Sequence, residues 1–241
     1  MCLIVLAWKV IPGMPLIAAS NRDEFYDRPA APADWWSDAP QVYAGRDLRA
    51  EGTWQGITRT GKFAAITNIR APGERRPEAP SRGVLVADYL RGAMSAADYV
   101  AQLATAVADH NGFNLLVGDC DTLIWYSNRA SGDARNGQPL TPGLYGLSNG
   151  LLDAPWSKVT RTKANFASLL CQGAPDDAFF DMLSDTARAE DCRLPDTGVD
   201  LEMERMLSAV CIESPNYGTR VSTLTQLYRP DVVRMQERLV R

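Results

Sequence analysis

The stretch CLIVLAWKVIPGMPLIAASNRDEF (2–25) constrains the fold more than any other part of this chain. Two apolar runs, LIVLAWKV (3–10) and LIAAS (16–20), flank PGMP (12–15), whose Pro-Gly pair signals a turn, so the pattern predicts an N-terminal antiparallel hairpin. A turn centred on Gly13 and Met14 sets Cys2 opposite Phe25, and half a residue less sets it opposite Glu24. In either register the first residues lie beside the polar run Asn21-Arg22-Asp23-Glu24, at a cross-strand spacing of roughly 5 Å. Successive strand residues point to opposite faces. A regular strand therefore turns toward Cys2 either Asn21 and Asp23, or Arg22 and Glu24.

The remaining pattern extends the same theme. TWQGITR (53–59) and KFAAITNIR (62–70) flank Thr60-Gly61 and predict a second hairpin. FNLLVGD (113–119) and TLIWYSN (122–128) predict a third, and GLYGLSNG (143–150) a strand running into a turn. Helical patterns arrive in pairs. GVLVADYLRG is expected to start at a Ser81 cap and AADYVAQLATAVADH at a Ser95 cap, with 157–170 and 176–185 following later. AVCIES, TRVSTLTQLYR and VVRMQERLVR alternate as strands, while 27–50 and 71–83, rich in Pro, read as loops. Strands, two helices, strands, two helices, strands predict an α+β fold: a four-layer αββα sandwich of antiparallel sheets fits the pattern, a generic α+β arrangement fits it nearly as well, and 1–241 reads as a single domain.

Composition excludes several classes. The chain has 241 residues and a net charge of -4, which offers no electrostatic basis for nucleic-acid binding. Five widely spaced cysteines with no CxxC pair fit neither a disulfide scaffold nor a zinc site, so no metal site is expected. The opening apolar run has no preceding positive charge and is interrupted by Lys9, unlike a secretory signal. No stretch approaches the ~20 apolar residues of a membrane span. These features together predict a cytoplasmic protein with no transmembrane segment.

Cys2 carries the chemistry. If Met1 is removed, Cys2 bears both a thiol and an α-amine whose reference pKa is about 7.7–8.0, so one residue can act as nucleophile and base. Such a site needs no histidine, and the chain has a single one, His110, read here as the end of a helix complementing its dipole. Attack on a carbonyl also needs donors for the developing oxyanion. Asn68 in AAITNIR and Asn149 in YGLSNG stand at strand ends with suitable chemistry, and each equally suits a turn-forming role. Arg220 in NYGTRVS is either a further site residue or a surface strand residue.

MCLIV, LIAASNRDEFYDRPA, GTWQGITRTGKFAAITNIR, FNLLVGD, YGLSNGLLDAPWSKV and YGTRVST occur in this order. They closely resemble the NRDE family, whose animal members are the transport and Golgi organisation proteins. The resemblance implies an N-terminal-nucleophile hydrolase-like fold. By similarity to the bile-salt-hydrolase and penicillin-V-acylase class, the implied catalytic set is Cys2, Arg22, Asp23, Asn68, Asn149 and Arg220. That class places its Asp three residues after the Arg, where this chain has Phe25.

The resemblance also implies a role in haem trafficking or in handling an amphipathic ligand such as haem, an acyl-CoA or a lipid. In that role Asn21, Arg22, Asp23, Glu24, Phe25 and Trp54 would contact the ligand, with haem as cargo and no cofactor required. The alternative is a Cys2-dependent amidohydrolase that cleaves a non-peptide C–N bond of an N-acyl substrate. The aromatic-rich 25–54 segment either lines a cleft beside NRDE or covers the sheet.

Overall fold

The computed structural model describes residues 2–229 and 232–241. The expected hairpin forms from β1 (Cys2–Ile11) and β2 (Met14–Phe25). They are joined by Pro12-Gly13, with Gly13 in the left-handed region at φ 76°. The register differs from expectation. Ile11 pairs with Met14, and an irregularity between Trp8 and Ile11, where Lys9 adopts φ 50°, shortens it further, so that Cys2 faces Arg22. The turn is one residue earlier than Gly13-Met14, and the bulge removes another step.

β1 and β2 form the middle of a five-stranded antiparallel sheet, completed by β9 (Gly143–Leu147), β10 (Tyr217–Arg229) and β11 (Val232–Leu239) in the order β11-β10-β2-β1-β9. The second sheet has six strands: β3 (Ala30–Trp36), β4 (Ala39–Asp47), β5 (Gln55–Thr58), β6 (Phe63–Asn68), β7 (Phe113–Gly118) and β8 (Leu123–Ser127), in chain order.

Two sequence expectations fail among the strands. The 27–50 segment is not a loop, since β3 and β4 occupy most of it. β3 is an edge strand in which six of seven residues are half-buried or exposed, and Pro32 falls at a register irregularity between Ala31 and Asp34, both settings in which a sheet tolerates proline. AVCIES is not a strand either. Its Ala209 and Ile212 pack with Leu207 in a small irregular core.

Helices cover the outer faces. α1 (Gly83–Arg91) and α2 (Ala96–Ala106) share a core with the second sheet through Leu85, Val86, Leu90, Val100, Phe113 and Leu115. Ser95 caps α2 as expected, accepting from the Asp98 N–H at 3.1 Å. The cap of α1 is Arg82 rather than Ser81, without a side-chain hydrogen bond. α3 (Ser157–Gln172) and α4 (Asp176–Leu183) cover the first sheet through Val159, Phe166, Phe179 and Phe180. α5 (Leu201–Leu207), unforeseen in the sequence, starts at Asp200, whose carboxylate accepts from Met203 N–H at 2.8 Å.

The two sheets face each other across Ile4, Leu6, Trp8, Leu16, Phe63, Leu116 and Trp125. Alternation along β1 settles the layers: even residues fill this inter-sheet core, while Leu3, Val5 and Ala7 face α3 and α4. The four-layer αββα sandwich expected from the sequence is present. Among the described residues, no helix is long and apolar enough to cross a membrane.

Candidate functional site

The site lies where β1 begins. Cys2 is paired with Arg22, and directly opposed residues share a face, so both point toward the second sheet. Arg22 is 5% exposed. Its guanidinium lies 4.2 Å from the centre of the Trp54 ring, and Glu24 and Asp47 each stand 3.9 Å away. Gly45 makes this stack possible, because a Cβ there would meet Trp54 ring carbons at 2.3 Å. Glu24 also faces Arg28, whose Nε donates to Asp47 at 2.6 Å.

Asn21 and Asp23 occupy the opposite face of β2. Asn21 is a structural peg: its amide donates to the carbonyls of Leu183 at 2.8 Å and Val210 at 2.9 Å, and its oxygen accepts from Ser222. Asp23 is 1% exposed and accepts from the Thr219 hydroxyl at 2.7 Å. Of the two face assignments open from the sequence, Arg22 and Glu24 share the face of Cys2. Asp23 still reaches the thiol in another way, since its backbone hydrogen bond favours the thiolate. Burial outweighs this and pushes the Cys2 thiol up, helped by the Asp23 charge and opposed by Arg22. Burial likewise pushes the Asp23 carboxyl up, against the pull of Lys158.

Asn149 is 1% exposed, and its amide donates to the Asn68 carbonyl at 2.8 Å. Its neighbour Ser148 donates to the Cys2 carbonyl at 3.0 Å, so the turn that carries Asn149 is tied to the start of β1, while Asn149 itself is bonded to the end of β6. The Asn68 side chain sits half-buried at the end of β6.

Arg220 is the bulged residue of β10, standing between Thr219 opposite Asp23 and Val221 opposite Arg22. The bulge that could alter the facing of the NRDE run is thus on the partner strand, and β2 itself stays regular. Arg220 Nη1 donates to the Arg28 carbonyl. Phe25 is 55% exposed and packs edge-on against Tyr217. Of the other rings of 25–54, Trp36 is in the core of the second sheet, Trp35 lies against Tyr43 and Arg59, and Tyr26 lies under Arg241 against Gly218 of β10. Among the described rings of this segment, Trp54 is the one that stacks on Arg22.

Behind Asp23 lies a set of buried charges that sequence reasoning did not find. Lys158, the second residue of α3, is 2% exposed, and its Nζ has no hydrogen-bond partner among the described residues. Burial depresses it to about 8, while Asp23, Cys2 and Glu204 favour its charged form and Arg70 opposes it. Arg70 donates to Glu204 at 2.5 Å, with both side chains 4% exposed, and its guanidinium lies 4.8 Å from the Trp156 ring. One signal was available: Lys158, Thr162 and Phe166 recur every four residues, which puts the lysine on the buried stripe of α3.

His110 ends the short helical turn 107–109, as expected, with its ring edge-on to Phe113. Burial pushes it below the ordinary histidine value, so it does not supply the cation that a dipole role needs. Among the described residues, no group of His, Cys, Asp or Glu could hold a metal ion. Met1, on which release of the Cys2 amine depends, lies outside the described residues.

Two antiparallel sheets between helix layers, with a cysteine heading a central strand beside an Arg and two strand-end asparagines, define a chain of the N-terminal-nucleophile hydrolase-like fold. A solved structure described as a Caenorhabditis elegans N-acylethanolamine-hydrolyzing acid amidase ortholog superposes with a TM-score of 0.52 at 12% identity, covering 96% of this chain and 94% of that one. The family model "Transport and Golgi organisation 2" matches residues 1–241, and the chain belongs to that family. The Homo sapiens Transport and Golgi organization protein 2 homolog is 36% identical, over 93% of this chain and 87% of its own. The Mus musculus homolog is 34% identical over the same shares.

Proposed function

We propose that this protein is a Cys2-dependent amidohydrolase acting on a small N-acyl amide. The observation that carries this reading is the pairing of Cys2 with Arg22, with the Asp23 backbone hydrogen-bonded to the sulfur and Ser148 fastened to the Cys2 carbonyl. The fold shared with an acid amidase supports it. In this mechanism the Cys2 sulfur attacks the amide carbonyl. The C–N bond breaks, the amine leaves with the thiol proton, and water cleaves the thioester to return acid and free thiol. Arg22 favours the thiolate, and the Asn68 amide is the candidate donor to the oxyanion. Asn149 holds the Asn68 backbone in place. The α-amine serves as base only when Met1 is gone. The test is intact mass with and without an N-acyl amide. A mature chain lacking Met1 and an acyl adduct on Cys2, lost in Cys2→Ala, are expected. A mass retaining Met1 overturns the mechanism.

A second reading has its own support. Arg28 and Arg82, half-buried near Glu24 and beside the buried Arg22–Trp54 stack, supply cations next to an aromatic ring for an anionic amphipathic ligand, with Glu24 and Asp47 as the carboxylates it would displace. Haem as cargo, through its propionates, and an acyl-CoA, through its phosphates, both have that chemistry. Titration with haemin, followed at the Soret band, and with an acyl-CoA distinguishes them. Saturable binding weakened in Arg22→Met, without turnover, would favour the carrier.

A further inference from the structure

Residues 71–82 run from one wall of the Cys2 site to another. Arg70 is the first root of this segment. Its N–H donates to the Asn149 carbonyl at 2.8 Å, and Ser148, one residue before Asn149, holds the Cys2 carbonyl at 3.0 Å. Gly83 is the second root. Its carbonyl accepts from the Thr53 N–H at 3.1 Å, and Trp54, next to Thr53, stacks on the Arg22 that pairs with Cys2. Gly52 permits this approach, because a Cβ there would meet the Gly83 carbonyl carbon at 2.4 Å.

Between its roots the segment has no apolar anchor. Residues 72–78 are all exposed, and Pro72, Pro77 and Pro80 leave it short of N–H groups for a regular element. A polar latch holds the middle instead. The Asn111 side chain grips the Arg76 main chain twice, accepting from its N–H and donating to its carbonyl, both at 2.8 Å. The Arg76 guanidinium donates to the His110 carbonyl at 3.3 Å, and Arg129 Nε donates to the Glu74 carboxylate at 2.8 Å. Exposed bonds of this kind are individually weak. A segment held by them alone opens at far lower cost than the fold as a whole.

The site has a matching need. Cys2 is half-buried and burial dominates its thiol, so a reactant larger than water requires a way in. Arg82, the last residue before the second root, lies within electrostatic reach of Cys2, Glu24 and Arg75. Arg75 belongs to the middle of the segment, which therefore stays close to the mouth of the site.

We propose that residues 71–82 form a lid over Cys2, latched shut by Asn111 and opened by release of Arg76. The lid does not depend on Cys2 being a nucleophile, since it gates a carried ligand as well as a substrate.

The test is iodoacetamide labelling of the full chain at fixed pH, read by peptide mass, in the parent and in Asn111→Ala. Loss of both Arg76 bonds is expected to speed labelling of Cys2 about tenfold and to speed tryptic cutting after Arg75. Cys120, buried in the inter-sheet core, should keep its rate. Faster cutting with Cys2 unchanged would mean that the segment moves without covering the thiol, and would overturn the proposal. Equal acceleration of Cys2 and Cys120, which reports loosening of the whole fold, would overturn it too, as would no change in either cutting or labelling. The parent alone gives a second measurement if Asn111→Ala fails to fold. Opening a lid exposes little surface, so the Cys2 rate should depend weakly on urea while the Cys120 rate depends steeply. An equally steep dependence for both would show that Cys2 is reached only by global unfolding and would refute the lid.

Discussion

Cys2 faces Arg22 across the β1–β2 ladder, while Asp23, next to Arg22 in sequence, lies on the other side of the same strand with Thr219. The NRDE run is therefore divided between two environments. Arg22 and Glu24 serve the inter-sheet face of the site, and Asn21 and Asp23 belong to the buried polar layer under the helices.

Cys2 should be a slow thiol. Its value is raised by burial, whereas Cys171 and Cys192 are exposed. In iodoacetamide labelling read by peptide mass mapping, Cys171 and Cys192 should react first near neutral pH, and Cys2 should catch up only as pH passes the ordinary thiol range. Arg22→Met removes a charge that favours the thiolate and should delay Cys2 further. Faster labelling of Cys2 in that variant would contradict the assigned role of Arg22.

Gly45→Ala should disturb the site without touching a charged group. The new methyl would overlap the Trp54 ring that carries Arg22. The expected loss is about 1–3 kcal/mol in urea unfolding, the usual cost of overpacking. A fluorescence change from displaced Trp54 should accompany it. An unchanged midpoint would show that the ring relocates freely.

Arg70 and Glu204 should be strongly coupled. Glu204→Gln leaves Arg70 buried without its counter-charge, for an expected cost of about 3–5 kcal/mol. Replacing both partners with methionine should cost much less than the sum of the single changes. Additive losses in a double-mutant cycle would mean that the pair does not act as a unit.

Lys158 should impose a pH dependence on stability. Its value in the folded chain, about 8, lies below the ordinary 10.5, so between these pH values the unfolded chain binds the extra proton and stability rises with pH. At about 1.4 kcal/mol per unit, the full rise is roughly 3 kcal/mol. Cys2 and Cys211, raised by burial, act oppositely above the ordinary thiol value. The cleaner measure is thus the difference between the parent and Lys158→Met, from denaturant unfolding at each pH. That difference should move in favour of the parent from pH 8 to 10.5, and a flat difference would contradict the burial of the lysine charge.

Much of this architecture was legible because it rests on local pattern. The Pro12-Gly13 turn, the Thr60-Gly61 turn and the Ser95 cap each act within a few residues of themselves. The even and odd positions of β1 then separate two apolar cores by alternation alone. Errors arose where context overrides propensity. β3 carries Pro32 and many half-exposed residues, and it is a strand because it is an edge. The register of the first hairpin departs from expectation because the turn closes at Pro12-Gly13, one residue early, and because Lys9 takes a left-handed conformation that no local signal announces.

By itself, the sequence determined the hairpin, an α+β order of paired helices between antiparallel strands, and the presence of Cys2 beside the NRDE run. All of these follow from periodicity and turn chemistry. Tertiary structure decided which of those polar residues share a face with the thiol and which charges surround them. The reason is distance along the chain: the partners of the buried groups come from remote elements, with Arg70 and Glu204 separated by 134 residues and Asp23 and Thr219 by 196. A buried charge is defined by what is packed against it, and for Lys158 and Asp23 that is set only when α3 closes over the first sheet.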